Sequence, residues 1–491
     1  MKEILDKEKV LADLKYWQVP GMAVSYVKVS PDKDGRYAPD SFAGGYGVRE
    51  TGGEPVDENT RFCIASCSKA MTSAVIAMLV TEGKLSYDVP VKEYLPGFAM
   101  MDAEADEKMT LRDMLCHRTG LAPHDGTWAG VATSEEYMKR FRYLAPCAPF
   151  RSKAIYNNCI YGLAGHVVEA ATGLTLEEAF RKYLFGPLGM ENSSCDTEKL
   201  RHSENHAEPH QVIDGRLTKL EIWNVDTVAG AASVNTTASD MVKWLAFLAA
   251  GGRTADGRQL IAPEVFREMT EKQIDYADFV GEEFYPLDGY AFGWQTGSYR
   301  GKKILRHTGK IEGYSTVQAF IPEEGIGAFL TVNLHSPTIS VMFAALYSIL
   351  DELMGWGGEV TWTEKFHGDE PPKPEDYDDQ YIDLFGKRYP DAVETEWDKT
   401  GSLQRYAGTY ENPGYDHIEI RAEGGELTLT NRALTWKMKP YVGGLFKVIG
   451  LKEDTLTYVM PVSFIENEDG AVEGLMIPME PLIPDLLFRK K

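Results

Sequence analysis

The spacing of apolar residues along the first 350 positions predicts both helices and strands. Residues 5–17 repeat apolar side chains at helical spacing. Residues 22–29 are rich in Val, Tyr and Met, which favours a strand, and residues 37–48 are predicted to be its hairpin partner. Residues 65–81 are apolar on nearly all sides, which predicts a helix buried from most directions.

Later segments continue this mixture of helices and strands. Five more stretches have helical spacing: 111–116, 162–171, 176–184, 237–250 and 341–354. Three stretches are predicted to be strands: 303–307, 315–321 and 326–333. The turn sequence Pro-Glu-Glu-Gly at 322–325 predicts that the last two strands form a hairpin.

The C-terminal quarter of the chain changes character. Residues 363–400 contain twelve acidic and five basic side chains together with four prolines, which predicts a solvated linker after a first domain of residues 1–362. From residue 401 to residue 491 no helix is predicted, and short strands separated by Gly, Pro and Asn predict a small closed β-barrel. The predicted strands are 408–410, 417–421, 427–430, 445–448, 455–459, 472–477 and 486–488.

Charge and composition exclude several classes of partner. The 491 residues include 51 Lys and Arg against 74 Asp and Glu, a net charge of −23. A surface with this much negative charge repels phosphate backbones and anionic lipids. Neither nucleic acid nor a membrane is therefore expected as a partner. The N-terminus lacks the apolar segment of a secretory signal, which predicts a cytoplasmic protein. Six cysteines without a CxxC pair do not suggest a disulfide framework or a zinc site.

The first candidate for chemistry is Ser66 with Lys69, an S-x-x-K pattern. Residues three apart on a helix share a face, so the lysine amine lies near the serine hydroxyl and, when desolvated, can accept its proton. The pattern recurs at Ser25 and at Ser30, in a predicted strand and a predicted turn. Only Ser66 begins a buried helix, whose free amides favour a developing anion.

Two later segments strengthen this candidate. Tyr156 and Asn158 lie in a polar turn that leads into an apolar helix. His307, Thr308 and Gly309 are predicted to end one strand and to lead toward the next two. Each segment alone is commonplace, but the three together, in this order, form a specific constellation.

With these motifs the sequence resembles the serine hydrolases related to class C β-lactamases and D-alanyl-D-alanine carboxypeptidases. That family carries S-x-x-K, then Y-x-N, then K-T-G or H-x-G. The likeness covers residues 15–350, and the stretch from residue 401 resembles the lipocalin-like barrel appended to some members. The resemblance implies an α+β fold, in which an antiparallel sheet is flanked by helices and carries a helical subdomain, followed by the small barrel.

The resemblance also implies roles for the first two motifs. Ser66 is the expected nucleophile and forms an acyl-enzyme. Lys69 is expected to lower the pKa of the Tyr156 phenol, and either group can take the serine proton, so the identity of the general base stays open. Asn158 is expected to bind the amide or ester side chain of the substrate.

The third motif is implied to form the opposite wall of the site. His307, Thr308 and Gly309 are expected to line it, and the backbone amides of Ser66 and Lys310 are expected to form the oxyanion hole. Penicillin-recognising relatives usually have lysine where this chain has His307. A largely neutral histidine attracts a substrate carboxylate less, which favours an esterase, amidase or peptidase over a β-lactamase.

The predicted function is hydrolysis of a small ester, amide or short peptide, including one of D-amino acids, through an ester on Ser66. No metal or organic cofactor is implied, and His117 and His124 are predicted to be structural. Three alternatives stay open: a β-lactamase, an acyltransferase to an alcohol or amine, and a non-enzymatic receptor that stays acylated. The barrel is expected either to cap the cleft or to mediate assembly into a homo-oligomer.

Overall fold

The computed structural model describes residues 1–128, 134–276, 286–335, 340–358, 360–367, 371–373, 382–396, 403–432, 434–450 and 458–491. Its helices are α1 Lys7–Tyr16, α2 Ser68–Thr81, α3 Val91–Tyr94, α4 Ala103–Lys108, α5 Leu111–Leu115, α6 Ser134–Met138, α7 Asn158–Thr172, α8 Leu176–Phe180, α9 Gly186–Leu188, α10 Thr197–Arg201, α11 Ala229–Ala232, α12 Ala238–Ala249, α13 Pro263–Thr270, α14 Ser340–Met354, α15 Trp362–Phe366 and α16 Leu384–Arg388. Its strands are β1 Gly21–Lys28, β2 Asp40–Gly47, β3 Phe62–Cys63, β4 Ser194–Cys195, β5 His210–Ile213, β6 Arg216–Lys219, β7 Val234–Thr236, β8 Leu287–Tyr290, β9 Gln295–Tyr299, β10 Lys302–Ile311, β11 Tyr314–Ile321, β12 Ile326–Val332, β13 Ile382–Asp383, β14 Gly408–Asn412, β15 Asp416–Glu423, β16 Glu426–Asn431, β17 Leu434–Tyr441, β18 Leu445–Gly450, β19 Tyr458–Glu466, β20 Val472–Ile477 and β21 Leu486–Lys490.

A seven-stranded antiparallel sheet forms the centre of the first part of the chain, in the order β2-β1-β12-β11-β10-β9-β8. Met22 of β1 pairs with Tyr46 of β2 on one side and with Val332 of β12 on the other. The inner strands β11 and β12 are buried along their whole length, because helices cover both faces of the sheet. The predicted α+β fold class is confirmed.

Alternating side chains of the sheet enter two different hydrophobic cores. Ala328 and Leu330 of β12 pack with α1 and α14 on one face. Phe329, between them, packs with α2 and α12 on the other face. The helical subdomain predicted from the family lies between β2 and β8 in the chain, and its helix α7 packs against α2 and α11.

The helix predicted over 65–81 is confirmed. It starts with a 3₁₀ turn, Ala65–Cys67, and continues as α2, in which every side chain from Ser68 to Leu79 is buried. Helix α7 begins at Asn158, four residues before the predicted start at residue 162, because the side chain of Asn157 caps it by accepting a hydrogen bond from the amide of Ile160 at 2.9 Å.

Strand β10 differs from its prediction in a way that affects the site. It continues to Ile311, which pairs with Tyr314 of β11. His307, Thr308 and Gly309 therefore lie inside a strand and not at its end, because the ladder with β11 continues past them. The edge strand β8 and its neighbour β9 were not predicted from the sequence.

The C-terminal residues form the predicted closed barrel. Strands β14 to β21 pair in order, and pairing of β14 with β21 closes the ring. Strand β17 is an addition to the seven predicted strands, and β13, inside the predicted linker, joins β19 in parallel. The described residues do not include residue 401, parts of the predicted linker 363–400 or the first residues of the predicted strand 455–459. The proposed domain boundaries therefore stay predictions.

Among the described residues, no single helix combines the length and apolarity needed to cross a bilayer. One sharply bent pair of helices, Asn158–Thr172 with Leu176–Leu188, is long and apolar enough only when its two members are counted together.

Candidate active site

Ser66 lies in a strained turn between β3 and α2. The preceding residue, Ala65, has a φ of +45°, in the left-handed region that a non-glycine residue seldom adopts. The hydroxyl of Ser68 fixes this turn, because it donates to the carbonyl of Ala65 at 2.6 Å and accepts from the amide of Val234 at 3.0 Å. The side chain of Ser66 is partly exposed, whereas its neighbours are buried.

Lys69 is completely buried beside this turn. Its Nζ lies 3.0 Å from the Oγ of Ser66, 2.7 Å from the Oδ1 of Asn158 and 3.3 Å from the carbonyl of Ala231. Burial lowers the pKa of Lys69 to about 7. A neutral amine has two N–H groups and one lone pair, so it donates to Asn158 and to Ala231 while the lone pair faces the hydroxyl of Ser66.

Tyr156 lies over both of these residues. The Nζ of Lys69 is 4.7 Å from the centre of the Tyr156 ring, and the Tyr156 phenol interacts with the hydroxyl of Ser66. Burial raises the pKa of Tyr156 well above its ordinary value, and the hydrogen bond with Ser66 offsets only part of this effect. The direction is opposite to the lowered pKa that the family resemblance implied, and it makes Tyr156 a proton donor at neutral pH.

Asn158, the first residue of α7, links Lys69 to a carboxyl group that the sequence did not indicate. Its Oδ1 accepts from Lys69, and its Nδ2 donates to the Oδ1 of Asp125 at 3.0 Å. The same oxygen of Asp125 accepts from the indole N–H of Trp128 at 3.2 Å. Burial raises the pKa of Asp125, although these two hydrogen bonds and Lys69 oppose the shift.

His307 is buried in the wall opposite, and both of its ring nitrogens have partners inside the protein. Its Nδ1 lies 2.6 Å from the carbonyl of Thr308 and must donate, so its Nε2 accepts from the hydroxyl of Tyr290 at 2.8 Å. Burial, reinforced by the charge of Lys69, lowers the pKa of His307 to about 3. The histidine is therefore neutral at physiological pH.

Gly309 allows β10 to approach the nucleophile turn closely. A Cβ at this position would overlap the carbonyl oxygen of Ile64 and lie 3.2 Å from the amide nitrogen of Ser66. Only glycine fits so close to another backbone. Thr308 and Lys310, on either side, are partly exposed.

The structure thus brings together the three motifs that the sequence singled out. Ser66, Lys69, Tyr156 and Asn158 interact directly, and Gly309 places the third motif beside them. Asp125 and Tyr290 were missed, because isolated Asp and Tyr residues in loops and edge strands have no distinguishing sequence pattern.

Other reactive groups near the site are engaged in packing. His117 is buried and accepts from the amide of Asn157 at 3.1 Å, and its ring is tilted against that of Tyr156 with the ring centres 4.4 Å apart. The six cysteines form no disulfide, and burial raises the pKa of Cys67. Within the described part of the chain, no group of His, Cys, Asp or Glu side chains is arranged to hold a metal ion.

Known proteins resemble the chain over most of its length. A family model described as Beta-lactamase matches residues 15–347, and one described as Domain of unknown function (DUF3471) matches residues 396–490. The chain is 26% identical over 516 residues to the unguisins hydrolase ungD of Aspergillus violaceofuscus, which covers 97% of this chain and 88% of that protein.

Solved structures share its fold. The octameric penicillin-binding protein homologue from Pyrococcus abyssi has a TM-score of 0.59 at 21% identity and covers 99% of this chain and 100% of that one. The D-amino acid amidase from Ochrobactrum anthropi SV3 has a TM-score of 0.57 at 23% identity and covers 71% of this chain and 96% of that one.

Proposed function

Because the chain belongs to the beta-lactamase family, we propose that it is a serine hydrolase that cleaves a small ester, amide or short peptide through an acyl-enzyme on Ser66. One observation carries this proposal: the buried amine of Lys69 lies 3.0 Å from the Oγ of Ser66, and burial lowers its pKa to about 7. The likeness of nearly the whole chain to an unguisins hydrolase supports hydrolysis as the reaction.

Acylation in this proposal starts with proton transfer from Ser66 to the lone pair of Lys69. The Oγ attacks the carbonyl carbon of the substrate, and the amides of Ser66 and Lys310 hold the resulting oxyanion. The close approach of Gly309 to the Ser66 backbone supports this oxyanion hole. The bond to the leaving alcohol or amine then breaks, and the leaving group takes the proton from Lys69 through the hydroxyl of Tyr156.

Deacylation reverses these roles with water. Lys69 takes a proton from a water molecule as the water oxygen attacks the ester carbon, the bond to Oγ breaks, and Ser66 recovers its proton. The opposite directions of the two pKa shifts favour Lys69 over Tyr156 as the general base, because about half of the amine is neutral near pH 7, whereas the phenol stays protonated.

The charges around the site favour substrates that carry no carboxylate near the scissile bond. His307 is neutral and has both nitrogens engaged, so it offers neither charge nor a free N–H group to an anion. Asp125 adds a carboxyl group on the other side of Asn158. Neutral esters, amides and amide-capped short peptides, including those of D-amino acids, are therefore the proposed substrates.

The proposal is tested by hydrolysis of p-nitrophenyl butyrate, D-phenylalanine amide and a chromogenic cephalosporin. The wild type is compared with Ser66→Ala and with Ser30→Ala, the exposed copy of the same S-x-x-K pattern. We expect the wild type to hydrolyse the ester or the amide. The rate of hydrolysis should fall by about 10³-fold or more in Ser66→Ala and stay unchanged in Ser30→Ala. Full activity in Ser66→Ala would refute the proposal.

The same panel separates the three alternatives. Turnover of the cephalosporin well above that of the ester identifies a β-lactamase. Transfer of the acyl group to added methanol or hydroxylamine in preference to water identifies an acyltransferase. A single acylation without turnover identifies a covalent receptor.

A further inference from the structure

Three segments of the barrel contact residues 124–126 of the catalytic part. They are Tyr415, just before β15, Arg432, just after β16, and Glu480, after β20. We propose that the barrel positions the catalytic machinery through this contact: Tyr415 and Glu480 fix His124, and Asp125, the next residue, thereby orients the amide of Asn158 toward Lys69. This inference rests on the proposed function, and it makes Tyr415, Glu480 and Asp125 positioning residues.

His124 is held in an unfavourable backbone conformation by contacts with the barrel. Its φ is +52°, in the left-handed region. Its amide donates to the Oε2 of Glu480 at 2.8 Å, and its Nδ1 lies 2.7 Å from the hydroxyl of Tyr415. Its Nε2 lies 2.9 Å from the carbonyl of Ala145 and must donate, so Nδ1 accepts from Tyr415. A non-glycine residue keeps such a φ only where its surroundings impose it.

The barrel also holds the residue on the other side of Asp125. The guanidinium of Arg432 donates to the carbonyl of Gly126. A Cβ on Gly126 would lie 3.7 Å from the ring of Tyr415 and 3.9 Å from Met479, so the backbone there packs against the barrel surface. Asp125 therefore sits between two residues that the barrel fixes.

Asp125 decides which way the amide of Asn158 faces. In the structure, the Nδ2 of Asn158 donates to Asp125 and its Oδ1 accepts from Lys69. If the amide turned over, its oxygen would face a carboxylate oxygen and its N–H groups would face those of Lys69, and both contacts would be repulsive. The carboxylate thus keeps an acceptor in front of Lys69, which leaves the lone pair of the amine free for Ser66.

Asp125 is also the acidic group that acts on the charge of Lys69. The groups that face Lys69 are the carboxyl of Asp125, the phenols of Tyr156 and Tyr161, the thiols of Cys67 and Cys159, and the neutral imidazoles of His117 and His307. A carboxylate near an amine stabilises the ammonium form. Loss of this charge would therefore shift the titration of Lys69 to lower pH, which a purely structural role for Asp125 would not do.

The test compares two nearly isosteric barrel variants with two matched controls. Tyr415→Phe removes the bond to the Nδ1 of His124. Glu480→Gln leaves one acceptor oxygen for the two backbone amides, of His124 and Leu482, that donate to the carboxylate. Tyr410→Phe removes a 2.7 Å bond that a buried barrel tyrosine makes inside the barrel, to the carbonyl of Tyr406. Asp416→Asn weakens the 2.9 Å ion pair with Arg140 across the same interface without touching residues 124–126. Thermal unfolding of each variant shows that it is folded.

With p-nitrophenyl butyrate, we expect kcat of Tyr415→Phe and Glu480→Gln to fall by about 5-fold or more with KM within 2-fold, as for lost transition-state positioning. Both controls are expected to stay within about 2-fold of the wild type. Equal effects in the controls and in the barrel variants would overturn the proposal.

A second readout is Asp125→Asn, for which the ascending limb of the pH–kcat/KM profile is expected to move to lower pH. An unmoved limb would also contradict the proposal.

Ser66→Ala in the same assay distinguishes failure of the positioning role of the barrel from failure of the proposed hydrolase function. If it is inactive while Tyr415→Phe matches Tyr410→Phe, only the positioning role fails. If it is fully active, or if the wild type does not hydrolyse the ester, the proposed function itself fails.

Discussion

The Nζ of Lys69 lies 3.0 Å from the Oγ of Ser66. Burial lowers the pKa of this amine, and the hydroxyl that it contacts is partly exposed in the site. The two residues are three positions apart, and the intervening 3₁₀ turn and first turn of α2 bring their side chains to one side. Because Lys69 is completely buried, water cannot stabilise its ammonium form. The chemistry proposed for this chain depends on that neutral amine.

Replacing Lys69 by arginine is expected to slow turnover strongly. A guanidinium stays protonated, so Lys69→Arg keeps a cation but cannot accept the proton of Ser66. We expect kcat to fall by about 10²- to 10⁴-fold, the usual contribution of a general base. The measurement is steady-state hydrolysis of p-nitrophenyl butyrate.

The matched control for this substitution is Lys33→Arg, in the exposed S-x-x-K copy that starts at Ser30. It should leave kcat unchanged. Comparable rates for Lys69→Arg and Lys33→Arg would show that Lys69 is not the base.

The pH dependence of kcat/KM should report Lys69. Its pKa is lowered to about 7, and the neutral form is the active one, so the rate should rise with pH and level off above about 7. Burial raises the pKa of Tyr156 well above 10, so no descending limb from this phenol is expected below pH 10. The pKa of His307, about 3, lies below the measured range.

The profile is measured from pH 5 to pH 10 with a neutral ester, so that the charge of the substrate does not change. An ascending limb centred near pH 10, the ordinary pKa range of lysine, would contradict the assignment of this limb to buried Lys69.

Adding one methyl group at Gly309 should disrupt the site. A Cβ there would overlap the carbonyl of Ile64, so Gly309→Ala must push β10 away from the nucleophile turn. We expect a loss of about 1–3 kcal/mol in the free energy of unfolding and a large decrease in kcat. Gly97→Ala, where a Cβ would have no neighbour within 4 Å, is the control. Equal unfolding midpoints for the two variants in urea would show that the close approach is not required.

Amide-capped substrates should be preferred over free carboxylates of the same size. Neither neutral His307 nor the carboxyl group of Asp125 offers a positive charge to a substrate anion. For acetyl-D-alanyl-D-alanine amide against acetyl-D-alanyl-D-alanine, we expect a kcat/KM at least about 10-fold higher for the amide, equivalent to about 1.4 kcal/mol. A preference for the free acid, measured by release of product, would contradict this reading of the site.

Much of the fold follows from local patterns. The helix over 65–81 and the strands β1, β11 and β12 are buried along nearly their whole length, and apolar residues form the larger part of their sequences. The strand β17 was missed although its sequence carries a usable pattern, since buried Trp436 and Met438 alternate with exposed Lys437 and Lys439. The short strands β8 and β9 have no such pattern.

The site was predictable where its residues lie in motifs and not where they meet only in space. Ser66, Lys69, Tyr156 and Asn158 belong to spacings that chemistry explains. Asp125 is 33 positions from its partner Asn158, and Glu480 is 356 positions from His124, so only the folded chain shows these contacts. The cytoplasmic location and assembly through the barrel stay predictions.

The proposed function depends on acylation of Ser66 during turnover, and intact-mass spectrometry after rapid acid quenching detects that acylation. Wild type, Ser66→Ala and Ser30→Ala are mixed with p-nitrophenyl butyrate and quenched over a series of times. We expect a transient butyryl adduct on wild type and on Ser30→Ala, located on Ser66 by peptide mapping, and none on Ser66→Ala. An adduct of equal size and lifetime on Ser66→Ala, or turnover by that variant at the wild-type rate, would show that Ser66 is not the nucleophile.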